Sequence, residues 1–304
     1  MPATGPNLSS VLKEKVTDGV LDLLILTHQH YDHFGGLSSS VLKEAGIKKV
    51  TTFVDNGVLT FNKDYLNVWI NDTKPYLIKN GSIYHPIQDY FSSISSLIPI
   101  AKDLTLAFLD SGYYPVKNSE GVYVSNGSPN EESIGFVLYA KEYEIISLGD
   151  AIKTTEASYI KKYSSHPFRK EKDTVIFKAN HHAASNANTQ EFMSFIKPDY
   201  SFISAAISSG NSSEDGIISV QEPLPSVRKR IEKYTGNDNV YWTGTTGNLT
   251  ISFDSSFSSF SFAGEGRKIG TYYYLNKIID PAGEKNLPIE KTEWAEAEKE
   301  AIGY

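Results

Sequence analysis

Hydrophobic positions along the chain fall into two alternating patterns, compact apolar runs of strand length and stretches with helical spacing. After a short helical stretch from about residue 8, the run VLDLLILT (20–27) predicts a buried strand and GGLSSSVLKEAGI (35–47) predicts a helix. The elements predicted further along are a strand at 103–110, a hairpin at 133–150, a helix at 154–163, a strand at 173–182, a helix at 189–196, a strand at 200–206, a helix at 223–234 and a hairpin at 239–253. This alternation favours an α/β fold.

Two regions have weaker patterns. Residues 58–100 contain several aromatic side chains and one predicted helix, DYFSSISSLI (89–98). From about residue 263 the chain becomes polar and charged, which predicts a tail or a closing helix in KTEWAEAEKEAI (291–302).

Composition restricts the chemistry. The 304 residues carry a formal net charge of −7 and include no cysteine. Disulfides, thiolate metal sites and cysteine nucleophiles are therefore excluded, and a transition-metal site must be built from His, Asp and Glu. The acidic balance argues against broad, non-specific binding along nucleic acid, although it leaves a local basic groove or a metal-mediated phosphate contact open.

Nothing in the sequence predicts a membrane span. No apolar run approaches the roughly 20 residues that cross a bilayer, and the start MPATGPNLSS has neither a basic beginning nor an apolar core. The compartment stays open: we expect a cytoplasmic protein if the chain is complete and an exported one if an upstream signal has been removed.

The stretch THQHYDH (27–33) holds three of the seven histidines and one aspartate within six positions. At H-x-H spacing, His28 and His30 can leave an extended strand end on the same side. Asp32 and His33 lie where the chain turns into a helix and project from a second direction. A single histidine is most often a solvated loop residue, but chance gives so dense a cluster only on the order of once in several thousand such chains. One such loop can supply ligands to two neighbouring metals.

Two further candidate clusters directly follow strands. Asp150 comes after EIISLG, and His181 and His182 come after VIFKAN. Taken alone, Asp150 could be an ordinary helix-capping carboxylate, and either histidine could be structural. Because the carboxyl ends of strands share one edge of an α/β sheet, the three clusters can converge.

The motifs THQHYDH, SLGDA and NHHAAS, in this order, resemble those of the metallo-β-lactamase superfamily of dinuclear metallohydrolases. Within it the chain resembles in particular the branch that includes the ComEC-type DNA-uptake nuclease domain and the bacterial phosphorylcholine esterases. That branch has an Asn-x-x-Ser strand, an HHGS-like run, a Lys-Pro-Asp strand and a late TG…G hairpin. The corresponding stretches here are NEES (130–133), HHAAS (181–185), KPD (197–199) and WTGTTGNLTI (242–251). The resemblance covers roughly residues 10–253.

The resemblance implies an αββα four-layer sandwich with the site along one edge of its two sheets. Residues 1–262 would form this hydrolase domain and residues 263–304 a C-terminal extension. Family members usually open with a β-hairpin that has no counterpart in this sequence, so we expect a first sheet in which the N-terminal hairpin is missing or truncated.

The resemblance also implies a ligand set for two divalent metal ions. His28 and His30 would hold one metal, Asp32 and His33 the other, and Asp150 would bridge them. Zinc is the favoured metal, with manganese and iron as alternatives.

One of His181 and His182 would complete the second metal, so both are candidate ligands. The other would face the substrate, where it would stabilise an oxyanion or protonate the leaving group. On this basis the predicted catalytic residues are Asp32 and His182.

Three residues outside these motifs complete the candidate set. His85 precedes the strand at 103–110 and is interpreted as structural. Asp110 ends that strand and is a candidate extra ligand or substrate contact. Ser185 stands where relatives have a serine after glycine, and it could donate a hydrogen bond to a phosphate.

These residues predict metal-assisted hydrolysis, in which the metals generate hydroxide near neutral pH and hold the oxygens of a phosphoryl or acyl centre. The predicted activity is that of a phosphodiesterase or other phosphoesterase. Its substrate would be a small phosphoester, such as a nucleotide or a phosphocholine-type group, or a nucleic acid. Two alternatives stay open: an acyl or amide hydrolase of lactamase or thioesterase type on the same metals, and a non-catalytic binding module with an incomplete first sheet.

Overall fold

The fold is taken from a computed structural model of the chain, which describes residues 8–58, 68–165, 168, 173–205, 223–243 and 249–264. The chain divides into two compact units. The first comprises Met1–Tyr139 and Ile146–Phe168, and the second comprises Ala140–Ile145 and Arg169–Tyr304. The helix predicted at 291–302, with nearly all of the C-terminal extension, lies outside the described residues.

The first unit follows the predicted alternation of helices and strands. Its helices are α1 (Leu8–Lys15), α2 (Tyr31–Phe34), α3 (Ser39–Glu44), α4 (Lys74–Lys79), α5 (Ile87–Ser92) and α6 (Lys153–Tyr163). Its strands are β1 (Val20–Ile25), β2 (Lys49–Asp55), β3 (Ile83–Pro86), β4 (Leu97–Ala101), β5 (Leu104–Leu109), β6 (Val116–Lys117) and β7 (Tyr123–Val124), followed by β8 (Gly135–Ala140) and β9 (Tyr143–Ser147), which include residues of both units. The strands predicted near 20 and 103 and the helix predicted at 154–163 are therefore confirmed.

Strands β1, β2 and β3 form a parallel sheet in that order. The apolar run of β1 suits a strand that is covered on both faces, which is the usual situation in parallel sheets. The chain stays beside β2 beyond the end of β1, because the Leu26 N–H donates to the Val54 carbonyl at 2.9 Å. This pairing carries the backbone straight into the histidine motif.

Helices cover one face of this sheet. Leu42 of α3 and Leu77 of α4 are buried against Phe53 of β2, together with Phe34 of α2. Burying a large apolar side chain contributes about 1.5–3 kcal/mol. Phe34 is fully buried, so this core anchors the short helix that carries Asp32 and His33.

The opposite face packs against a second sheet within the first unit, in which β8, β5 and β4 follow one another. Val54 of β2 and Ile25 of β1 meet Phe108 of β5 and Ile134, which directly precedes β8. The first unit therefore consists of three layers: helices, the parallel sheet and a second sheet. The outer layers cover both apolar faces of the parallel sheet.

The predicted helix at 89–98 is only half correct. Helix α5 ends at Ser92, and β4 begins at Leu97. Ile98 pairs with Leu106 of β5 and packs against the core between the sheets. Four residues, SISS (93–96), separate the two elements, and pairing with β5 outweighs the helical spacing of the apolar positions.

The second unit contains three parallel strands, β10 (Thr174–Lys178), β11 (Tyr200–Ile203) and β12 (Val240–Trp242), with β11 in the middle. Its helices are α7 (Gln190–Ile196) and α8 (Pro225–Thr235). Helix α7 begins where the Thr189 hydroxyl accepts from the Phe192 N–H, and it ends at Lys197, whose φ of 45° is left-handed. The helices predicted at 189–196 and 223–234 are confirmed. The strand predicted at 173–182 ends at Lys178, because His181 and His182 adopt left-handed backbone angles that end the strand conformation. Strand β11 covers Tyr200–Ile203 of the strand predicted at 200–206, whose last residue lies outside the described residues.

The hairpin predicted at 239–253 is wrong. Strand β12 pairs in parallel with β11, whereas β13 (Leu249–Phe253) pairs in antiparallel fashion with β14 (Phe260–Gly264). The rings of Tyr143 and Tyr200 pack edge to face against Phe260. These long-range aromatic contacts stabilise a pairing that the local turn residues did not indicate.

The resulting mixed α/β structure with several sheets is consistent with the αββα sandwich of the predicted fold class. In the part of the chain that is described, no helix is both long and apolar enough to cross a lipid bilayer.

Candidate metal centre

The histidine motif follows the parallel sheet immediately. The Thr27 carbonyl accepts from the Ile134 N–H at 2.8 Å, which ties the start of the motif to the second sheet of the same unit. His30 is still extended, with φ −86° and ψ 147°, and caps helix α2. Asp32 and His33 therefore leave from the first turn of a helix and His28 from an extended segment, as the sequence predicts.

The side chains of the motif converge on one carboxylate. His33 Nε2 lies 3.0 Å from Asp150 Oδ2, and His28 Nε2 lies 3.7 Å from the same oxygen. His28 Nε2 is 3.1 Å from His30 Nδ1, and His33 Nε2 is 3.5 Å from Asp32 Oδ2. The first unit thus brings together five residues that lie up to 122 positions apart in sequence.

Asp150 is shared by two sets of potential ligands. In one set, ligand atoms of His28, His30 and Asp150 all lie within 4.8 Å of one another. In the other, ligand atoms of Asp32, His33 and Asp150 do so. The resemblance assigns these two sets to two metals that share one carboxylate, and this assignment stays a prediction.

The spacing of these atoms fits divalent cations. Two ligands bound about 2.0–2.2 Å from a tetrahedral ion lie roughly 3.3–3.6 Å apart. The measured separations of 3.0 to 3.7 Å bracket that range. Imidazole nitrogens and carboxylate oxygens are also the ligand types that zinc, manganese and iron accept.

The exposure of the candidate ligands to solvent differs across the site. The side chains of His28 and Asp150 are 0% and 1% exposed, whereas those of His33 and Asp32 are 13% and 57% exposed. Burial, followed by the neighbouring His33, lowers the pKa of His28 well below its usual value, and Asp150 opposes this only in part. His28 is therefore a neutral imidazole near pH 7, which is the form that binds metals.

Gly149 allows Asp150 to approach the motif. Its φ is +57°, a conformation that favours glycine. A Cβ atom at this position would lie 2.9 Å from Thr27 Cβ and 3.0 Å from Ser133 Cβ. The glycine of SLGD is thus required both by its backbone and by the close packing of two neighbouring side chains.

Two hydroxyl groups behind the ligands were not predicted as site residues. Thr27 Oγ1 lies 3.3 Å from His28 Nδ1 and 3.2 Å from His33 Nδ1. Ser133 Oγ lies 3.2 Å from His28 Nδ1. With Nδ1 engaged in this way, each ring presents Nε2 to Asp150. The signal was present in the sequence, because Thr27 opens THQHYDH and Ser133 ends NEES, but neither motif reveals what its hydroxyl contacts.

A network of buried polar side chains, formed by Gln29, Asn56 and Glu132, also supports the motif. Gln29 Nε2 donates to Asn56 Oδ1, and Asn56 Nδ2 donates to Glu132 Oε2 at 3.4 Å. Glu132 Oε1 accepts from the Asn126 N–H at 2.6 Å, and burial raises the pKa of this carboxyl. Gln29 lies between His28 and His30, so the network fixes the backbone between two candidate ligands.

The second unit holds its two candidate histidines in a strained turn. His181 and His182 have φ values of 44° and 52°, and Ala183 follows with 63°. His181 Nδ1 lies 2.7 Å from Asn186 Oδ1, and His182 Nδ1 donates to the Ser204 carbonyl. Because a carbonyl oxygen only accepts, the proton of neutral His182 is on Nδ1 and its Nε2 keeps a lone pair. His182 thus has the tautomer of an Nε2 ligand.

Asn188 holds this turn in place. Its Oδ1 accepts from the Asn180 N–H at 2.9 Å, and its Nδ2 donates to the Asn180 carbonyl at 2.8 Å. Arg230 in turn donates to the Asn188 carbonyl at 2.9 Å. Several partners therefore stabilise left-handed residues that would each cost about 1–3 kcal/mol in an unsupported chain.

The remaining candidates are engaged elsewhere or exposed. Asp110 Oδ1 accepts from the Gly112 N–H at 2.9 Å, and its Oδ2 forms an ion pair with Lys162. In the described part of the chain, Asp110 and His85 belong to neither set of potential ligands. His85 Nδ1 lies 3.4 Å from Asp89 Oδ2, in keeping with a structural role. Ser185 is exposed in the second unit.

Comparison with protein families gave one result. The family model described as Metallo-beta-lactamase superfamily matches residues 4–205, which is more than half of the chain. A search of curated proteins found no match.

Proposed function

Since the chain belongs to the metallo-β-lactamase superfamily, whose members are generally metal-dependent hydrolases, we propose that it is a dinuclear metal-dependent phosphodiesterase. Its substrate class would be a nucleotide, a phosphocholine-type ester or an exposed phosphodiester of a nucleic acid. Its motifs also lead us to propose that it belongs with the ComEC-type and phosphorylcholine esterase branch.

A single observation carries the dinuclear proposal, namely that Asp150 belongs to both sets of potential ligands. Imidazole nitrogens of His28 and His33 approach the same carboxylate oxygen, Oδ2. A carboxylate shared between two cations is the arrangement that two-metal hydrolases use.

The proposed ligands follow from this arrangement. His28, His30 and Asp150 would hold one ion, and Asp32, His33 and Asp150 the other. His182 is one of the two histidines that the resemblance implies as ligands, and we propose that it would complete the second ion, because its Nδ1 donates to the Ser204 carbonyl and its Nε2 carries a lone pair. The proton-donating role predicted for His182 would then pass to His181. When bound, the two cations would lower the pKa of a water molecule towards neutrality and polarise the oxygens of a phosphoryl centre.

Side chains of the protein would then accept a proton from water and donate hydrogen bonds or a proton to the substrate. Asp32 is the most exposed of the first unit's candidate ligands, so its carboxylate can accept a proton from a water molecule at the solvent side. His181 is held through Nδ1 by Asn186. Its Nε2, when protonated, can donate to the leaving-group oxygen, and the exposed Ser185 hydroxyl can donate to a phosphate oxygen.

One consideration favours a phosphodiester over an acyl substrate, and a second favours a small phosphodiester over extended nucleic acid. The ligand sets use three residues each from the first unit, which leaves open positions for the several oxygens of a phosphoryl group. The net charge of −7 disfavours extended nucleic acid, because long phosphate backbones bind basic surfaces. A small or exposed phosphodiester is therefore the proposed substrate.

The test combines metal analysis with three substrates. Purified protein should contain about two zinc, manganese or iron atoms per chain. It should hydrolyse bis-p-nitrophenyl phosphate or p-nitrophenyl phosphorylcholine but not a chromogenic β-lactam. Cleavage of the β-lactam alone would support the acyl hydrolase instead. Metal-free protein whose stability does not change with added zinc would refute both enzymes in favour of a binding module.

A matched pair of variants links the activity to the site. His30→Gln should lower both metal content and hydrolysis, because it removes a proposed ligand. His85→Gln replaces a histidine that contacts Asp89, and it should leave both unchanged. Equal behaviour of the two variants would contradict the proposed ligand set.

A further inference from the structure

Residues 131–134 contact both loops that carry candidate ligands in the first unit. The Ile134 N–H donates to the Thr27 carbonyl at 2.8 Å, beside His28. Glu131 Oε1 accepts from the Thr154 hydroxyl at 2.7 Å, four residues after Asp150. This short segment therefore spans from the histidine motif to the aspartate loop.

Ser133 lies at the centre of this segment and is fully buried. The Asp150 N–H donates to Ser133 Oγ at 3.0 Å, and His28 Nδ1 lies 3.2 Å from the same oxygen. One hydroxyl oxygen thus contacts the backbone of one candidate ligand and the ring of another. Thr27 differs, because its hydroxyl contacts two histidines of a single loop.

The positions of the neighbouring protons define the role of the Ser133 hydroxyl. An N–H group only donates, so Asp150 occupies one lone pair of Ser133 Oγ. A neutral histidine that binds a cation through Nε2 carries its proton on Nδ1 and needs an acceptor there. The second lone pair of Ser133 Oγ is within hydrogen-bond distance of that proton.

We propose that Ser133 is a positioning residue of the metal centre, which fixes the Nε2-binding tautomer of His28 and holds that ring in register with Asp150. The proposal rests on the metal centre proposed above. Ser133 touches neither metal nor substrate in this role and acts through the two ligands. The serine of NEES, which lies just before β8, is then a functional residue of the segment that leads into this strand.

The first test measures zinc affinity by competition with a chromogenic chelator in the full chain. Ser133→Ala should bind zinc about 10–100-fold more weakly than the unaltered protein, as is typical when a partner of a metal-binding histidine is removed. Ser111→Ala is the matched control: Ser111 is also fully buried, and its hydroxyl also accepts from a backbone N–H, that of Tyr113, at 3.2 Å. Ser111→Ala should bind zinc as the unaltered protein does. Equal zinc affinity in all three proteins would overturn the proposal.

The second test does not depend on metal, and its main measurement uses the unaltered protein alone. Long-range ¹H–¹⁵N correlations of the histidine rings in the metal-free, unaltered protein should show the His28 proton on Nδ1 and protected from solvent exchange. In folded Ser133→Ala this protection should be lost. A His28 proton on Nε2 in the unaltered protein would overturn the role of Ser133, even if the variant cannot be purified.

The outcomes separate the two proposals. If the unaltered protein fails to bind zinc, the metal centre is refuted, and the ring measurement still decides whether Ser133 fixes the tautomer of His28. If zinc binds to all variants equally, the metal centre stands and the role of Ser133 is refuted.

Discussion

Two buried carboxylates of the first unit provide an instructive comparison. Asp55 ends β2, and Asp150 meets the motif that follows β1, the neighbouring strand. Asp55 accepts from the Lys74 ammonium at 3.0 Å, the Trp69 indole at 3.1 Å and the Tyr84 hydroxyl at 2.7 Å.

The partners of Asp150 Oδ2 are of a different kind. They are the imidazole rings of His28 and His33, and burial keeps at least His28 neutral. A buried carboxylate needs a compensating positive charge. Lys74 supplies this charge to Asp55, whereas Asp150 is surrounded by groups that could bind a metal ion. Two buried acids near strand ends therefore differ in whether the protein itself supplies a neighbouring cation.

The largest effect is expected from removing the internal cation. Lys74→Met should destabilise the fold by about 3–5 kcal/mol, because it leaves Asp55 charged and buried without its partner. Zinc bound per folded chain should stay the same. Thermal unfolding and metal analysis check this, with the exposed Lys79 of the same helix changed to Met as the control. Loss of zinc binding in folded Lys74→Met would break the comparison.

The next effect concerns the other carboxylate. Asp150→Asn should lower hydrolysis more than about 100-fold, or about 2.7 kcal/mol in the activation free energy, and should lower the metal content. Asp22→Asn removes an exposed carboxylate of β1 and should change neither. Retention of both metals in Asp150→Asn would refute the bridging role.

A smaller effect is expected at the approach to Asp150. Gly149→Ala combines a left-handed backbone with contacts to Thr27 and Ser133 that are under 3.1 Å. Gly112→Ala has a similar φ of +76°, but the atom nearest to the added Cβ, Ser158 Oγ, is 3.7 Å away. Gly149→Ala should therefore be about 1–3 kcal/mol less stable than Gly112→Ala. Equal stability in chemical denaturation would show that the close packing at Gly149 relaxes at no cost.

The smallest effect comes from a third carboxylate, whose hydrogen bonds come from a serine and not from a cation or an imidazole. Asp72 accepts from the Ser39 N–H at 2.9 Å and the Ser39 hydroxyl at 2.7 Å, and these bonds lower its pKa. Asp72→Asn should cost about 0.5–1 kcal/mol at neutral pH. Because the pKa is lowered by folding, this difference should be present above the ordinary carboxyl pKa and fade as the pH falls through the lowered value. Denaturant titrations at several pH values measure it, and a constant difference would contradict the assignment.

The sequence predicted the strand ends that carry the candidate ligands, because both signals are local. The apolar run of β1 and the spacing of His28, His30, Asp32 and His33 can be recognised without any contact partner. The same holds for Asp150 after β9, once strand ends are expected to share an edge.

The supporting groups escaped prediction because each acts over a long distance in sequence. Ser133 contacts His28 across 105 positions, and Asn56 contacts Glu132 across 76. No periodicity or spacing encodes such pairs. For the same reason β4 and β12 were assigned incorrectly, since their partners β5 and β11 determine their pairing.

The gradient of exposure across the centre has a kinetic consequence. Two of the three ligands of the proposed inner ion, His28 and Asp150, are almost fully buried, whereas Asp32, at the outer ion, is largely exposed. Exchange with the medium should therefore occur in sequence, with the outer ion leaving first and returning last. Brief dialysis against a chelator should yield a species with one ion per chain, and simultaneous loss of both ions would contradict this order. Such an enzyme would respond to falling metal supply in two steps, losing turnover before it loses the cation that neutralises its buried aspartate.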